Sequence, residues 1–172
     1  MTQQAGKNLD NHIANGIYEH TDGNVVTHST RGSGNVKSPQ PDVVVRTNVW
    51  DYAIELKRNT RTDRGDRATF IESSDLKQLG KCSNDYTQIY CGLKMTHCEM
   101  VCVEVEVASP DDDVSDLAQS LADNLPEAFD ANATRSDNVT VRKPELDDWP
   151  SSRAGRSDVE VVCDAIGVTY VP

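Results

Sequence analysis

Two acidic residues and a lysine, Asp42, Glu55 and Lys57, have the types and the spacing that metal-assisted hydrolysis requires. Twelve residues separate the two acids, and each acid adjoins apolar residues, at 43–45 and at 52–54 and 56. Mg²⁺ prefers hard oxygen ligands and commonly takes one or two protein carboxylates together with phosphate oxygens and water. A lysine beside such an ion could orient or deprotonate the attacking water. The three residues therefore predict a magnesium-dependent hydrolytic site.

Two adjacent strands would have to bring these residues together. Asp42 opens a predicted apolar strand at 43–47, and Thr47-Asn48 predicts a turn into a second strand at 50–57. Because side chains alternate along an extended strand, Glu55 and Lys57 share one face. That face, with Ala53, should line a cleft, and the opposite face should bury Tyr52, Ile54 and Leu56.

The alternative interpretation is a solvated strand face, because a Glu-x-Lys pattern is common on exposed strands. Spacing alone favours this alternative. The flanking sequence favours the metal site, since two apolar strands, a Pro41-Asp42 entry and a glycine-rich loop upstream occur in the required order.

With these motifs the chain resembles the PD-(D/E)xK nuclease superfamily, and within it the archaeal Holliday-junction resolvases. The resemblance rests on Pro41-Asp42 and Glu55-Leu56-Lys57, on a strand at 23–27, on a small-residue loop at 31–34 and on the segment 70–79, which enters a helix. It extends to about residue 100. The fold that it implies is α/β, with a restriction-endonuclease-like central mixed β-sheet flanked by helices.

The resemblance also implies a function and roles for residues. It implies a metal-dependent DNA endonuclease that hydrolyses phosphodiesters in Holliday junctions or other branched DNA, leaving a 5′-phosphate and a 3′-hydroxyl. Asp42, Glu55 and the Leu56 carbonyl would bind Mg²⁺ (or Mn²⁺), and Lys57 would position the attacking water. A homodimer is implied, because symmetric cleavage of a junction needs two active sites on a two-fold axis.

Two further site residues are implied less directly. The family places an acid early in its first helix, and the match here is Asp10, with Glu19 as the alternative in the same segment. The family's functional serine matches Ser33 after a one-residue shift. Ser33 could instead be a turn residue that forms local hydrogen bonds.

Charge is distributed unevenly along the chain. The sequence has 28 acids and 17 bases, a net charge of −11 at pH 7, which is unusual for a protein that binds a polyanion. Between residues 31 and 81, however, there are ten Lys or Arg and seven acids. Between residues 109 and 150 there are three Lys or Arg and eleven acids. A polar loop at 59–68 should grip phosphates, although a solvated charged loop is the alternative. The predicted DNA-binding residues are Arg31, Lys37, Arg58, Arg61, Arg64 and Arg67.

The excess of acid has a second interpretation. Asp outnumbers Glu by 19 to 9, and there are only seven Lys, which is typical of proteins from salt-loving organisms. In molar salt the screening length falls to about 3 Å, so long-range attraction to DNA would contribute little. Binding would then depend on direct contacts between metal, arginine and phosphate.

The five cysteines indicate a reducing, cytoplasmic environment. Their number is odd and no secretory leader is apparent, which argues against a disulfide framework. The cluster of His97, Cys98 and Cys102 lacks paired Cys-x-x-Cys elements, so buried thiols are favoured over a zinc site. No segment is apolar enough for a membrane span.

The remaining periodicity predicts the other elements. Helices are expected at 7–19, at 73–82 with Ser73 or Ser74 as N-cap, and from Ser109-Pro110 to about Pro126. Strands are expected at 24–28, 100–107, 138–142 and 159–163, followed by a tail at 167–172.

These elements suggest a nuclease core at 1–108 and an acidic C-terminal extension at 109–172, packed on the same domain. Two alternatives to a junction-cutting enzyme stay open. One is a restriction-like or repair nuclease that acts on linear or flapped DNA. The other is a non-catalytic DNA-binding or assembly module with the same fold.

Overall fold

The computed structural model describes residues 3–21, 25–29, 41–58, 68–83, 85–95, 98–107, 113–133, 139–142, 149–151 and 154–172. Within these ranges the helices are α1 (Gln3–Glu19), α2 (Ser73–Cys82), α3 (Val114–Asn124) and α4 (Asp158–Ile166). The strands are β1 (Val26–Ser29), β2 (Val43–Arg46), β3 (Asp51–Arg58), β4 (Ala68–Ile71), β5 (Gln88–Lys94), β6 (Val101–Glu104), β7 (Asp130–Ala133) and β8 (Val139–Arg142).

A five-stranded sheet forms the centre of the fold, with the strand order β1-β2-β3-β5-β6. The β3–β5 pair is parallel, and the other three pairs are antiparallel. Helices pack on both faces of this sheet. The predicted class, an α/β fold with a central mixed sheet flanked by helices, is therefore confirmed.

The two faces of β3 bury different cores. Ile54 and Leu56 point into a cluster that includes residues of α1 and α4. The apolar face of α1 packs in this cluster, where Leu9, Ile13 and Ile17 are buried. Ala53 points to the opposite side, into a larger cluster formed with α2 and α3.

A second, smaller sheet has the strand order β4-β8-β7 and is antiparallel throughout. Val139 and Val141 of β8 are fully buried in the same cluster as α2 and α3. The strand predicted at 138–142 is thus confirmed, whereas β4 and β7 were not expected from the sequence.

The central parallel strand β5 was also not expected. Its residues are buried on both faces, so its sequence lacks the polar alternation that identifies a half-exposed strand. By contrast, β6 lies within the strand predicted at 100–107. It is shorter than predicted, although Val101 and Val105 are both buried.

The expected strand at 159–163 is wrong, because these residues belong to helix α4. The buried residues Val159, Val162, Cys163 and Ile166 follow helical spacing and pack on the cluster that contains α1. Ser157 accepts a hydrogen bond from the N–H of Glu160 at the N-cap. Gly167 ends the helix in the left-handed region, with φ of 75°.

Two predicted helix caps need correction. The N-cap of α2 is Glu72 rather than Ser73 or Ser74, although the predicted bounds of 73–82 are confirmed. Helix α3 begins at Val114, with Asp113 as the N-cap that accepts from the Ser115 N–H. The predicted start at 109–112 lies outside the described residues. The apolar stripe of α3 is buried at Leu117, Ala118 and Leu121.

The C-terminal tail runs back along the end of α1. The Val171 N–H donates to the His20 carbonyl at 2.7 Å, and the rings of Tyr170 and His20 lie 5.0 Å apart. Residues 167–172 therefore have a defined place in the fold.

The five cysteines, all within the described ranges, form no disulfide. Four are buried and Cys102 is partly buried, as expected for structural thiols. Burial raises the pKa of Cys82 and of Cys102 to about 12, so neither is reactive at neutral pH. Among the described helices, none is long and apolar enough to cross a membrane.

Candidate active site

Strand pairing brings Asp42 next to Glu55. In the β2–β3 register Val43 lies opposite Ile54, so the preceding residue, Asp42, faces Glu55 one step further along. Paired residues share a face of the sheet, which places both carboxylates on the α2 side. Glu55 and Lys57 share that face because they are two residues apart on β3.

The main chain of β3 holds the carboxylate of Asp42. The Leu56 N–H donates to Asp42 Oδ2 at 2.8 Å. Asp42 immediately precedes Val43, the first residue of β2 that pairs with β3. Since the N–H and C=O of one strand residue point towards the same neighbouring strand, the Leu56 carbonyl points to this side as well. The Leu56 carbonyl oxygen is therefore directed to the N-terminal end of β2, next to Asp42.

The carboxyl groups of Asp42 and Glu55 are hydrogen-bonded to each other. The Glu55 side chain is only 7% exposed. Burial, followed by the charge of Asp42, raises the pKa of Glu55 well above its usual value. Burial also raises the pKa of Asp42, although the Leu56 N–H and the charge of Lys57 oppose this. Without a cation, burial therefore favours the protonated form of both carboxyl groups.

Lys57 lies between two acids. Its Nζ is 2.8 Å from Asp75 Oδ2 and 3.7 Å from Glu55 Oε1. Burial alone would lower the pKa of Lys57, but the hydrogen bond and charge of Asp75, with the charges of Glu55 and Asp42, outweigh burial and raise it. Lys57 is consequently a stable ammonium group at neutral pH and a hydrogen-bond donor rather than a base.

Helix α1 brings Asp10 to the same site. Burial and the nearby charge of Asp42 raise the pKa of Asp10 to about 7, and the charge of Lys57 partly opposes them. The alternative acid, Glu19, is exposed at the other end of α1. At about 1.5 Å per residue, nine residues separate the two acids by about 13 Å along the helix axis. Of these two acids, the geometry favours Asp10.

The predicted cleft is wrong for part of this face. Ala53 is fully buried in the core under α2, and Glu55 is 6% exposed. The reason is that α2 covers the face of β3 that the sequence analysis left open. Only Lys57, with a side-chain exposure of 25%, reaches towards solvent.

Asp75, which the sequence analysis did not assign to the site, is a direct partner of Lys57. It lies in the first turn of α2, and its Oδ2 also accepts the Glu72 N–H at 3.1 Å. The sequence signal was the pair Glu72 and Asp75, three residues apart at a helix start, which is the spacing of a capping box.

One of the predicted DNA-binding residues lies within the described part of the chain. Arg58 is at the exposed end of β3, next to Lys57. Outside the described residues lie Ser33 and the other predicted DNA-binding residues, namely Arg31, Lys37, Arg61, Arg64 and Arg67.

The donor set fits a hard divalent cation that retains water or phosphate ligands. In the described part of the chain, no group of three or more His, Cys, Asp or Glu side chains is arranged to enclose a metal ion. Mg²⁺ does not need such a cage, because it usually binds through one or two carboxylates plus substrate phosphates. Asp42 and Glu55 supply two such carboxylates, and the Leu56 carbonyl supplies a further oxygen. Two adjoining carboxylates repel each other unless a proton or a cation lies between them.

Comparison with solved structures shows a structural similarity, whereas comparison of sequences does not. No known protein-family profile matches the chain. No curated protein matches it in sequence. Among solved structures, the chain is similar to Hjc of Archaeoglobus fulgidus, a Holliday junction resolvase from an archaeal hyperthermophile, with a TM-score of 0.39 and 18% identity. The match covers 47% of this chain and 64% of the resolvase, which is less than two thirds of its length.

Proposed function

We propose that this protein is a metal-dependent DNA endonuclease that cuts Holliday junctions or other branched DNA. The observation that carries the proposal is the convergence of three side chains. Asp42 is bound to the Leu56 N–H at 2.8 Å and hydrogen-bonded to Glu55, and Lys57 Nζ lies 3.7 Å from Glu55. This combination of acids and ammonium suits hydrolysis of a phosphodiester.

Each residue has a separate task in this proposal. Mg²⁺ or Mn²⁺, when bound, would polarise the scissile phosphate and a water molecule. Asp42, Glu55 and the Leu56 carbonyl would hold the cation, with Asp10 as a further acid from α1. The Leu56 N–H donates to Oδ2 of Asp42 and so fixes the orientation of the carboxylate that would bind the cation. The Lys57 ammonium would donate hydrogen bonds to the attacking water or to a phosphate oxygen.

The substrate and the assembly are parts of the same proposal. The resemblance of the Pro41-Asp42 and Glu55-Leu56-Lys57 motifs to those of resolvases supports branched DNA. The predicted basic residues at 31–81 would contact its phosphates. A homodimer would supply two active sites for paired cuts.

Cleavage by paired variants tests the proposal. Glu55→Ala and Lys57→Ala should each reduce Mg²⁺-dependent cleavage of four-way junctions at least about 100-fold, because each removes a group that acts on the reacting phosphate. Circular dichroism and junction binding in Ca²⁺ should remain close to those of the parent. The assay offers junctions, flaps and linear duplexes side by side, at low and at high KCl.

Two matched variants control this experiment. Glu99 is as buried as Glu55, and Lys94 forms a similarly short ion pair, with Asp158, so Glu99→Gln and Lys94→Ala should retain cleavage. Normal cutting by Glu55→Ala or Lys57→Ala would contradict the mechanism. Faster cutting of flaps or duplexes than of junctions would favour the restriction-like or repair alternative. Junction binding without metal-stimulated cleavage would favour the non-catalytic module.

A further inference from the structure

The ammonium of Lys57 is held by an acid that is not among the proposed metal ligands. Lys57 Nζ lies 2.8 Å from Asp75 Oδ2, but 3.7 Å from the nearer oxygen of Glu55. The closer contact of the Lys57 ammonium is therefore with Asp75 of α2 and not with Glu55 of its own strand. Both partners are mostly buried, with side-chain exposures of 25% for Lys57 and 17% for Asp75.

Asp75 is itself firmly placed. It lies in the first turn of α2, and its Oδ2 accepts the Glu72 N–H at 3.1 Å in addition to the Lys57 ammonium. The helix start needs only a hydrogen-bond acceptor at this position, which Asn or Ser could supply. The negative charge of Asp75 is favourable at the positive end of the α2 dipole and also makes the contact with Lys57, which an uncharged acceptor could not replace.

The two contacts of Lys57 compete. A lysine side chain has a flexible stem and a compact charge, so an ammonium that lost Asp75 would move to the next carboxylate. That carboxylate is Glu55, whose oxygens are proposed to bind the cation. An ammonium that pairs with Glu55 would occupy the place of the metal and would leave the place of the attacking water.

We propose that Asp75 is a positioning residue, which holds the Lys57 ammonium away from the Glu55 and Asp42 carboxylates and so leaves them available to a divalent cation. The inference rests on the proposed function, because it assigns the carboxylate pair to a metal. It adds a residue of α2 to a site otherwise formed by β2, β3 and α1.

A cycle of variants tests this role by metal binding, without relying on activity. Mn²⁺ affinity is measured by calorimetry on the full chain with Asp75→Asn, Lys57→Ala and both changes together. Asp75→Asn should weaken Mn²⁺ binding about 10-fold in the parent, the size of effect typical of residues that orient metal ligands. In the Lys57→Ala background it should change affinity less than about twofold, because no ammonium remains to compete. An equal loss in both backgrounds would mean that Asp75 acts only through its charge, which overturns the proposal.

Cleavage and two further variants complete the design. Asp75→Asn should lower the single-turnover rate about 10- to 100-fold and raise the Mg²⁺ concentration for half-maximal rate, and Asp75→Glu should restore part of both. Asp158→Asn breaks an ion pair of the same length in which the acid has the same exposure, Lys94–Asp158 at 2.8 Å, and should change neither quantity. If Asp75→Asn does not fold, Asp75→Ser is used in the same cycle.

The outcomes separate this inference from the proposed function. A parent protein that binds Mn²⁺ but does not cut DNA contradicts the nuclease proposal, while the affinity cycle still decides the role of Asp75. A parent that cuts DNA, with Asp75→Asn at the parental rate and affinity, contradicts the positioning role alone.

Discussion

At the scale of single residues, the site is a group of charges that are costly in the absence of a cation. Glu55 is almost fully buried beside Asp42, and burial raises the pKa of both carboxyl groups. Such pairs are common at functional sites, although structural networks produce them as well. Here the pair is accompanied by an ammonium and a main-chain carbonyl, a combination that a purely structural pair does not need.

Asp10 should make stability depend on pH. Its pKa is raised to about 7 in the folded state from 3.8, chiefly by burial. The folded state therefore binds the proton more tightly, and this contribution is complete below pH 3.8 and is lost as the pH rises through 7. At pH 8 in EDTA, Asp10→Asn should exceed the parent in unfolding free energy by about 1 kcal/mol, a value discounted for the partial exposure of the carboxyl.

Urea unfolding of the parent and of Asp10→Asn, at constant KCl between pH 4 and pH 8, measures this difference. The two proteins should converge near pH 4. A constant difference across the range would mean that residue 10 acts by packing rather than by charge. Added Mg²⁺ should stabilise the parent more than the variant at pH 8, if Asp10 contacts the cation.

At the scale of elements, the sequence analysis missed helix α4. This helix packs with α1 on the face of the sheet opposite to Glu55 and completes the core there. Helix α4 packs on α1 at Gly16, where an added Cβ would meet both Cγ atoms of Val159, with Cγ1 at 3.1 Å. A branched side chain is stiff and cannot easily move away. This close contact sets how α1, the helix that carries Asp10, lies on α4.

Gly16→Ala should therefore destabilise the protein, although alanine is the better helix former. The gain in helix propensity is about 1 kcal/mol, whereas forcing a methyl group into a filled contact costs about 1–3 kcal/mol. Thermal unfolding of Gly16→Ala, of Val159→Ala and of the double variant measures the balance. The double variant should be more stable than the sum of the single changes predicts. Strict additivity would contradict the contact between α1 and α4.

At the scale of the whole molecule, the excess of acid contrasts with a proposed DNA substrate. The net charge of −11 includes the acids of the site and those of 109–150. In dilute buffer these charges repel each other and repel DNA. In molar salt the screening length falls to about 3 Å, so this repulsion is largely removed. The halophilic origin and the homodimer both stay predictions, and so does the division into a core at 1–108 and an extension at 109–172.

The unfolding temperature should rise with KCl. Between 0.1 M and 2 M KCl we expect an increase of at least about 5 °C, since screening relieves repulsion within the folded chain. Sucrose, which is excluded from protein surfaces but does not screen charge, is the control and should produce a smaller rise. Full stability in dilute buffer, unchanged by KCl, would contradict the halophilic interpretation.

The sequence by itself determined the local features of this protein. The alternation around Glu55 and Lys57, the apolar stripe of α1 and the bounds of α2 follow from periodicities within one element. Because these patterns depend only on neighbours in the chain, they could be predicted without the fold.

Only the tertiary structure decided the contacts between distant segments. Strand β5 is buried on both faces by partners far away in the sequence, so its own pattern could not distinguish a buried strand from a buried helix. Segment 159–163 combines β-branched valines with helical spacing, and its packing on the cluster that contains α1 decided for the helix. For the same reason, the sequence identified Lys57 but not its partner Asp75, because the packing of α2 on β3 brings the two charges together.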